Sequence, residues 1–269
     1  MSELFQAPSK SVLFSIRGLK KKFQNPSYIP GISEGTFEAL SGIDLDIYSR
    51  ETTVIAGANG SGKTLLTRIL AGLLEATEGE ILFKGKPLNE CKKSLQLSVG
   101  LVFQDADAQI LGETVEEDIR FGPENLKIPE EEIQKRLEET MAALELRGKK
   151  DFPARHLSGG EKRRLAVAGI LAMGCETIIM DEPFANLDWP GVVQVLGIIS
   201  VLKRERKTVI ILTHELEKIL AFADRLVILA EGKVRDDGIP DQVLDRLDPA
   251  WGVRDPRKTY ATAADCTWL

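Results

Sequence analysis

Eight consecutive residues, Gly57-Ala58-Asn59-Gly60-Ser61-Gly62-Lys63-Thr64, follow the pattern G-x-x-x-x-G-K-[ST]. The spacing has a chemical reason. Glycines let successive backbone N–H groups curl around a phosphate with no Cβ in the way. A helix opening at Lys63 adds its partial positive charge. Lys63 then reaches the β and γ phosphates of a nucleoside triphosphate, and the Thr64 hydroxyl is placed to ligate Mg²⁺. A second reactive stretch, Ile178-Ile179-Met180, is apolar and runs into two carboxylates, Asp181 and Glu182. Behind a phosphate loop, Asp181 suits a Mg²⁺ ligand, directly or through water. Glu182 can orient or deprotonate an attacking water.

These side chains need elements to hold them. Thr52–Ala56 reads as a short apolar strand feeding the glycine loop, and Lys63–Leu73 as a helix with Leu66, Ile69, Leu70 and Leu73 on one face. Ile43, Leu45 and Ile47 alternate with Asp44 and Asp46, the pattern of a half-buried strand. Ile81–Phe83 and Val99–Phe103 are further strands. Pro129-Glu130-Glu131 opens a helix with acidic residues in its first turn, and Ile133, Leu137, Met141 and Leu144 form its apolar stripe. Strand Thr177–Met180, helix Pro190–Lys203, strand Thr208–Leu212, helix Glu215–Ala221 and strand Leu226–Leu229 follow. Such alternation predicts an α/β fold whose mostly parallel sheet is covered on both faces.

Bulk properties narrow the class. The 269 residues are 43% hydrophobic and 28% charged with a net charge of −6, so the basic excess expected of a general nucleic-acid binder is absent and no nucleic-acid partner is expected. The longest apolar runs, Val192–Leu202 and Ala166–Gly174, fall well short of the roughly 18–20 residues that cross a bilayer. Residues 1–10 carry no basic-then-apolar leader, so a cytosolic place is the expectation. Cys91, Cys175 and Cys266 are odd in number and widely spaced, against both a disulfide framework and a zinc site, and two histidines, His156 and His214, are too few for a metal cluster.

Leu157-Ser158-Gly159-Gly160-Glu161 lies between the two reactive stretches and resembles the signature of ATP-binding-cassette (ABC) ATPases, usually written LSGGQ. Other elements stand in the order of that family. Gln104, after Leu101-Val102-Phe103, resembles the glutamine that senses Mg²⁺ and the transport partner. Asn186-Leu187-Asp188 resembles the loop along the dimer seam, and His214 the switch histidine that contacts the γ-phosphate. Phe23 is a candidate to stack on adenine, with Tyr28 and Phe37 as competitors, because Asn25–Gly35 looks inserted relative to shorter relatives.

The resemblance spans roughly Leu13 to Leu247. It implies a P-loop NTPase (RecA-like) core with a mixed sheet, an N-terminal antiparallel β subdomain and an inserted α-helical subdomain at about 105–167. Residues 1–247 would form one ATPase domain and 248–269 a tail of unassigned role. ATP and Mg²⁺ are the implied cofactors, in a head-to-tail dimer with a second copy or a paralogue. Gly57 to Thr64 of one subunit hold the phosphates, and Ser158, Gly159 and Gly160 of the other cap them. Two departures stand out: Glu161 replaces the family's glutamine, and Ser49-Arg50-Glu51 lacks a glycine that relatives often carry before the loop strand.

Val102-Phe103-Gln104-Asp105-Ala106-Asp107-Ala108-Gln109, Thr114-Val115-Glu116-Glu117-Asp118-Ile119, Phe121-Gly122-Pro123-Glu124-Asn125 and Ala168–Met173 resemble the energy-coupling-factor (ECF) branch. That branch drives uptake of vitamins or of cobalt and nickel ions. Its members imply a transmembrane coupling subunit, a substrate-binding membrane subunit and a peripheral place on the cytoplasmic face of the membrane. Asp105 and Asp107 could meet the coupling subunit's arginines. A conventional ABC importer or exporter is the alternative. The repair and chromosome types fit less well, since Gly57 to Leu157 spans only 100 positions without extended heptads. A GTPase fits less well again, since no Asn-Lys-x-Asp sequence is present.

Overall fold

The computed structural model describes residues 11–24 and 35–257. The chain begins with two long antiparallel strands, β1 (Val12–Gln24) and β2 (Thr36–Tyr48), paired from Val12 with Tyr48 to Gln24 with Thr36. Buried strand β3 (Thr52–Ala56) leads into α1 (Lys63–Leu70), then β4 (Glu78–Phe83), the two-residue β5 (Lys86–Pro87), α2 (Lys92–Ser98) and β6 (Val99–Val102). Helices α3 (Val115–Asn125), α4 (Glu130–Ala143) and α5 (Gly159–Ala172) follow. The chain then alternates through β7 (Thr177–Asp181), α6 (Trp189–Arg204), β8 (Thr208–Thr213), β9 (Arg225–Ala230), β10 (Lys233–Gly238) and α7 (Pro240–Asp245).

Two sheets result. One is antiparallel, in the order β2-β1-β4-β5. The other runs β10-β9-β3-β8-β7-β6 and is parallel throughout except for β10. This is the mixed, helix-covered α/β architecture expected, with the antiparallel sheet at the N-terminal side.

Side-chain alternation explains the layering. Successive residues of a strand point to opposite faces, so the continuous apolar runs of the large sheet feed two cores. Val54, Ile178, Met180, Val209, Ile211, Leu226 and Ile228 pack on one side with α5 and α6 residues. Ile55, Ile179, Ile210, Leu212, Val227 and Leu229 pack on the other with Leu66, Ile69 and Leu70 of α1 and with the antiparallel sheet.

Two helices differ from expectation. Helix α1 stops at Leu70, three residues early, because Gly72 adopts φ 73° and closes a Schellman turn: Gly72 N donates to Ile69 O at 3.0 Å and Leu73 N to Arg68 O at 2.8 Å. The helix expected over Glu215–Ala221 is instead two 3₁₀ turns, Leu216–Lys218 and Leu220–Phe222. Leu216 and Ile219, spaced by three, are both buried, and an i, i+3 spacing stacks side chains in a 3₁₀ turn. Strand β6 also ends one residue before Phe103.

The segment after Leu247 has structure as far as residue 257. Pro249–Trp251 forms a 3₁₀ turn, Val253 is buried in the main core, and a Cβ built on Gly252 would lie 3.1 Å from the Ala58 Cβ. This part of the tail therefore packs against the glycine loop.

Candidate functional site

Parallel register brings the reactive residues to one edge. Ala56 pairs with Thr213 and Asp181 with Leu212, so the carboxyl ends of β3, β7 and β8 are level. The glycine loop leaves the first, Asp181 and Glu182 the second, and His214 the third. In open α/β sheets, ligands bind beyond this strand edge.

The loop is held tightly. A Cβ on Gly57 would lie 2.1 Å from Leu229 O, so only glycine fits there. Gly232 N, in the β9–β10 turn, donates to Ser61 O at 3.1 Å. Ala58, Asn59, Gly60 and Gly62 carry the loop outward to α1, where Lys63 is buried and Thr64 exposed. Lys63 Nζ folds back to donate to Gly57 O at 2.7 Å and Ala58 O at 3.1 Å, and lies 3.4 Å from Glu182 Oε1. The ammonium thus sits over the loop with its charge partly met.

Glu182 is 8% exposed and adopts φ 47°, a left-handed conformation that a non-glycine side chain disfavours by roughly 1–3 kcal/mol. Its N–H donates to Leu212 O at 2.8 Å, which ties the strained turn to β8. The carboxylate Oε2 lies 3.1 Å from His214 Nδ1 and accepts from His214 N at 3.4 Å. Glu182 therefore bridges the loop lysine and the histidine.

Asp181 Oδ1 is buried without a hydrogen-bond partner, and so are Ser61 Oγ and Glu182 Oε1. Burial pushes the Asp181 carboxyl up from the usual carboxylate range, an effect that the Thr64 hydroxyl partly offsets and the neighbouring Glu182 charge reinforces. A desolvated carboxylate oxygen beside a hydroxyl is an all-oxygen, hard donor set of the kind Mg²⁺ takes. That ion is usually held by one or two carboxylates together with substrate phosphates. Among the described residues no three His, Cys, Asp or Glu side chains converge into a metal cage.

The remaining predicted residues lie in two further places. Ser158 caps α5: its Oγ accepts from Glu161 N at 3.4 Å, while Ser158 N donates to Glu161 Oε2 at 2.9 Å. Gly159 and Gly160 form the first turn, and a Cβ on Gly160 would collide with the Gln194 side chain of α6. Gln104 is exposed and lines a cavity of about 430 Å³ with Asp105, Asp107, Gly159, Lys162, Arg163 and Asn186. It thus shares a cleft with the signature helix. Asp107, expected to be open to a partner, already pairs with Lys162. Phe23 stacks on Phe37 with ring centroids 5.8 Å apart, so these two expected competitors form one aromatic pair, with Lys21 Nζ 5.2 Å from the Phe23 ring. Tyr28 and most of the Asn25–Gly35 segment lie outside the described residues.

A glycine loop between strand and helix, backed by carboxylates at the next strand ends, defines a P-loop nucleoside triphosphatase. The ABC transporter family model matches residues 40–185, just over half of the sequence. The energy-coupling factor transporter ATP-binding protein EcfA of Methanocaldococcus jannaschii is 41% identical over 212 residues, 78% of this chain and 76% of that protein. A putative ABC transporter ATP-binding protein of Halobacterium salinarum is 42% identical over 222 residues, 82% of this chain and 95% of that protein. The solved structure of CbiO1 from Clostridium perfringens, described as part of the ABC transporter complex CbiONQ, aligns with a TM-score of 0.76 at 34% identity, covering 88% of this chain and 92% of that one. The chain belongs to the ABC transporter family, as an ATP-binding and ATP-hydrolysing subunit.

Sequence reasoning missed β1, β5, β10, α2, α3, α7 and the partner of Glu161. Helix α3 had a signal: Thr114-x-x-Glu117 is a capping-box pattern, and the structure forms that box. The Glu161 partner, Lys149, is too far along the chain for any local pattern to indicate.

Proposed function

We propose that this chain is the ATP-hydrolysing subunit of an energy-coupling-factor importer for a vitamin or a transition-metal ion. It would sit peripherally on the cytoplasmic face of a membrane. The observation that carries the catalytic part is the convergence of Lys63, Asp181, Glu182 and His214 at one strand edge. The likeness to EcfA and CbiO1 supports the transporter branch. Among the described residues no helix is long and apolar enough to cross a membrane, and in this reading the solute path belongs to the membrane subunits.

In this reading the loop amides and Lys63 hold the phosphates, Phe23 stacks on adenine, and Thr64 and Asp181 would hold Mg²⁺, with Gln104 joining them from the neighbouring cleft when the site closes. The ion supplies positive charge to the phosphate oxygens. Glu182 orients and deprotonates the attacking water, and His214 steadies the γ-phosphate. The Ser158-Gly159-Gly160 segment of a second subunit, either a copy or a paralogue, closes the site. Phosphoryl transfer needs positioning and charge stabilisation above all, and these residues provide both.

Pulling the protein from its native membrane should bring down a coupling protein and a small substrate-binding membrane protein. Recovery of two conventional permease subunits would instead make it the motor of an ordinary ABC transporter. The docking side has its own test. Asp105→Asn with Asp107→Asn is expected to weaken assembly with the coupling protein while ATPase activity of the isolated chain persists. In the free chain Lys162 holds Asp107, so a partner arginine would replace one cation by another. Unchanged assembly would remove these aspartates from the docking surface.

A further inference from the structure

A carboxylate at the last position of the signature segment is a liability. Glu161 stands one turn from Ser158, at a helix end that in the proposed dimer receives the most negative part of the nucleotide. Helix N-termini attract anions through exposed N–H groups and a partial positive charge. A full negative charge in that first turn cancels the attraction. The neutral glutamine of the family pattern raises no such conflict.

The structure contains a counter-charge. Lys149 Nζ lies 2.6 Å from Glu161 Oε1. Lys149 ends a short 3₁₀ turn (Arg147–Lys149) between α4 and α5, which follows the fully buried Leu146. Its ammonium also lies 4.9 Å from the Phe152 ring, and Phe152 N donates to Lys149 O at 2.9 Å. The lysine is therefore held from two directions. Arg164 Nη2, at 3.9 Å from the same oxygen, is too distant for a hydrogen bond. Lys149 is the close partner, and its bond is the main cause holding the Glu161 carboxyl at about 2, ionised at any working pH.

The other carboxylate oxygen bears on chemistry. Glu161 Oε2 accepts from both Ser158 N at 2.9 Å and Ser158 Oγ at 3.0 Å. A serine hydroxyl has one proton to donate. While Glu161 Oε2 takes it, a γ-phosphate cannot. A cation on Oε1 draws charge away from Oε2 and eases release of that proton toward an incoming phosphate.

We propose that Lys149 is a positioning residue for nucleotide capping, neutralising Glu161 so that Ser158, Gly159 and Gly160 can accept the γ-phosphate bound by the partner subunit. This rests on the head-to-tail reading above. Four variants test it in the assembly with which the full-length chain purifies, with kcat and KM for ATP measured at low and high salt. Lys149→Gln should raise KM about three- to tenfold, the scale of one partly screened charge, and the rise should shrink at high salt. Lys149→Arg should match the wild type. Lys149→Gln with Glu161→Gln should return KM to the wild-type value, because neither charge then remains.

A purely structural lysine would give a defect that Glu161→Gln does not rescue, and that outcome overturns the proposal. So does wild-type behaviour of Lys149→Gln. Glu182→Gln, run alongside, separates the two levels. If Glu182→Gln abolishes turnover but Lys149→Gln is silent, the Lys149 role alone fails. If Glu182→Gln forms no ATP-trapped dimer, the head-to-tail reading fails and the Lys149 role with it.

Discussion

Glu182→Gln is expected to lower ATP turnover roughly 10²- to 10⁴-fold, the usual contribution of a positioned base, while ATP binding survives. The geometry separates these two effects. Glutamine keeps the length and planar head of glutamate, so it can retain one contact toward His214, now 3.1 Å from the carboxylate, and one toward Lys63, now 3.4 Å away. It cannot accept a proton. The left-handed backbone at φ 47° is held by the Glu182 N–H bond to Leu212 O, which the substitution does not touch. The fold and the phosphate loop therefore remain, and only the hydrolytic step is lost. A two-state assembly biased by a γ-phosphate then stays in its ATP-bound form. Phosphate release and size-exclusion chromatography with Mg-ATP should show a slow enzyme with an added dimer species. Normal turnover would take the base assignment away from Glu182.

Much of this site was legible in advance because its residues are consecutive. Gly57 to Thr64 and Ile178 to Glu182 are local strings, and local strings carry their strand–loop–helix context with them. Asp181 and Glu182 meet Lys63 because parallel register levels the ends of β3, β7 and β8, and strand–helix alternation already implied parallel strands. What was not legible depends on side chains far apart in sequence. The Lys162–Asp107 pair spans 55 positions and turns an apparently free aspartate into a paired one. Lys149 meets Glu161 only because α4 and α5 pack together.

The helix expected over Glu215–Ala221 failed for a related reason. Its residues favour a helix locally, but Leu216 and Ile219 are both anchored in the core, and tertiary burial outweighs propensity differences of a few tenths of a kcal/mol per residue. The tail after Leu247 has no assigned role in the sequence because its anchors, Trp251 and Val253, are isolated apolar residues without periodicity. Their partners lie in the main core.

Lys63→Met should give the opposite signature to Glu182→Gln: loss of nucleotide binding itself. The Lys63 ammonium is the buried cation of the loop, 6% exposed, and already sits over Gly57 O and Ala58 O at 2.7 and 3.1 Å. Binding a triphosphate exchanges these neutral carbonyl acceptors for charged phosphate oxygens, and charge-assisted bonds are roughly twice as strong as neutral ones. Methionine keeps the length and apolar stem and deletes the charge. Losing one partner of a buried charge contact costs about 2–5 kcal/mol; at 1.4 kcal/mol per decade this corresponds to a roughly 30- to 4,000-fold rise in Kd. The substitution also strips Glu182 of its nearest cation, so turnover falls further than weakened binding alone would require. Because both residues act on one bound phosphate, their effects should not add. Lys63→Met with Glu182→Gln should bind no worse than Lys63→Met alone, and should show no ATP-trapped dimer. Fluorescent-nucleotide titration of the three variants measures this directly. A Lys63→Met chain whose Kd stayed within twofold of the wild type would move the nucleotide away from the Gly57–Thr64 loop.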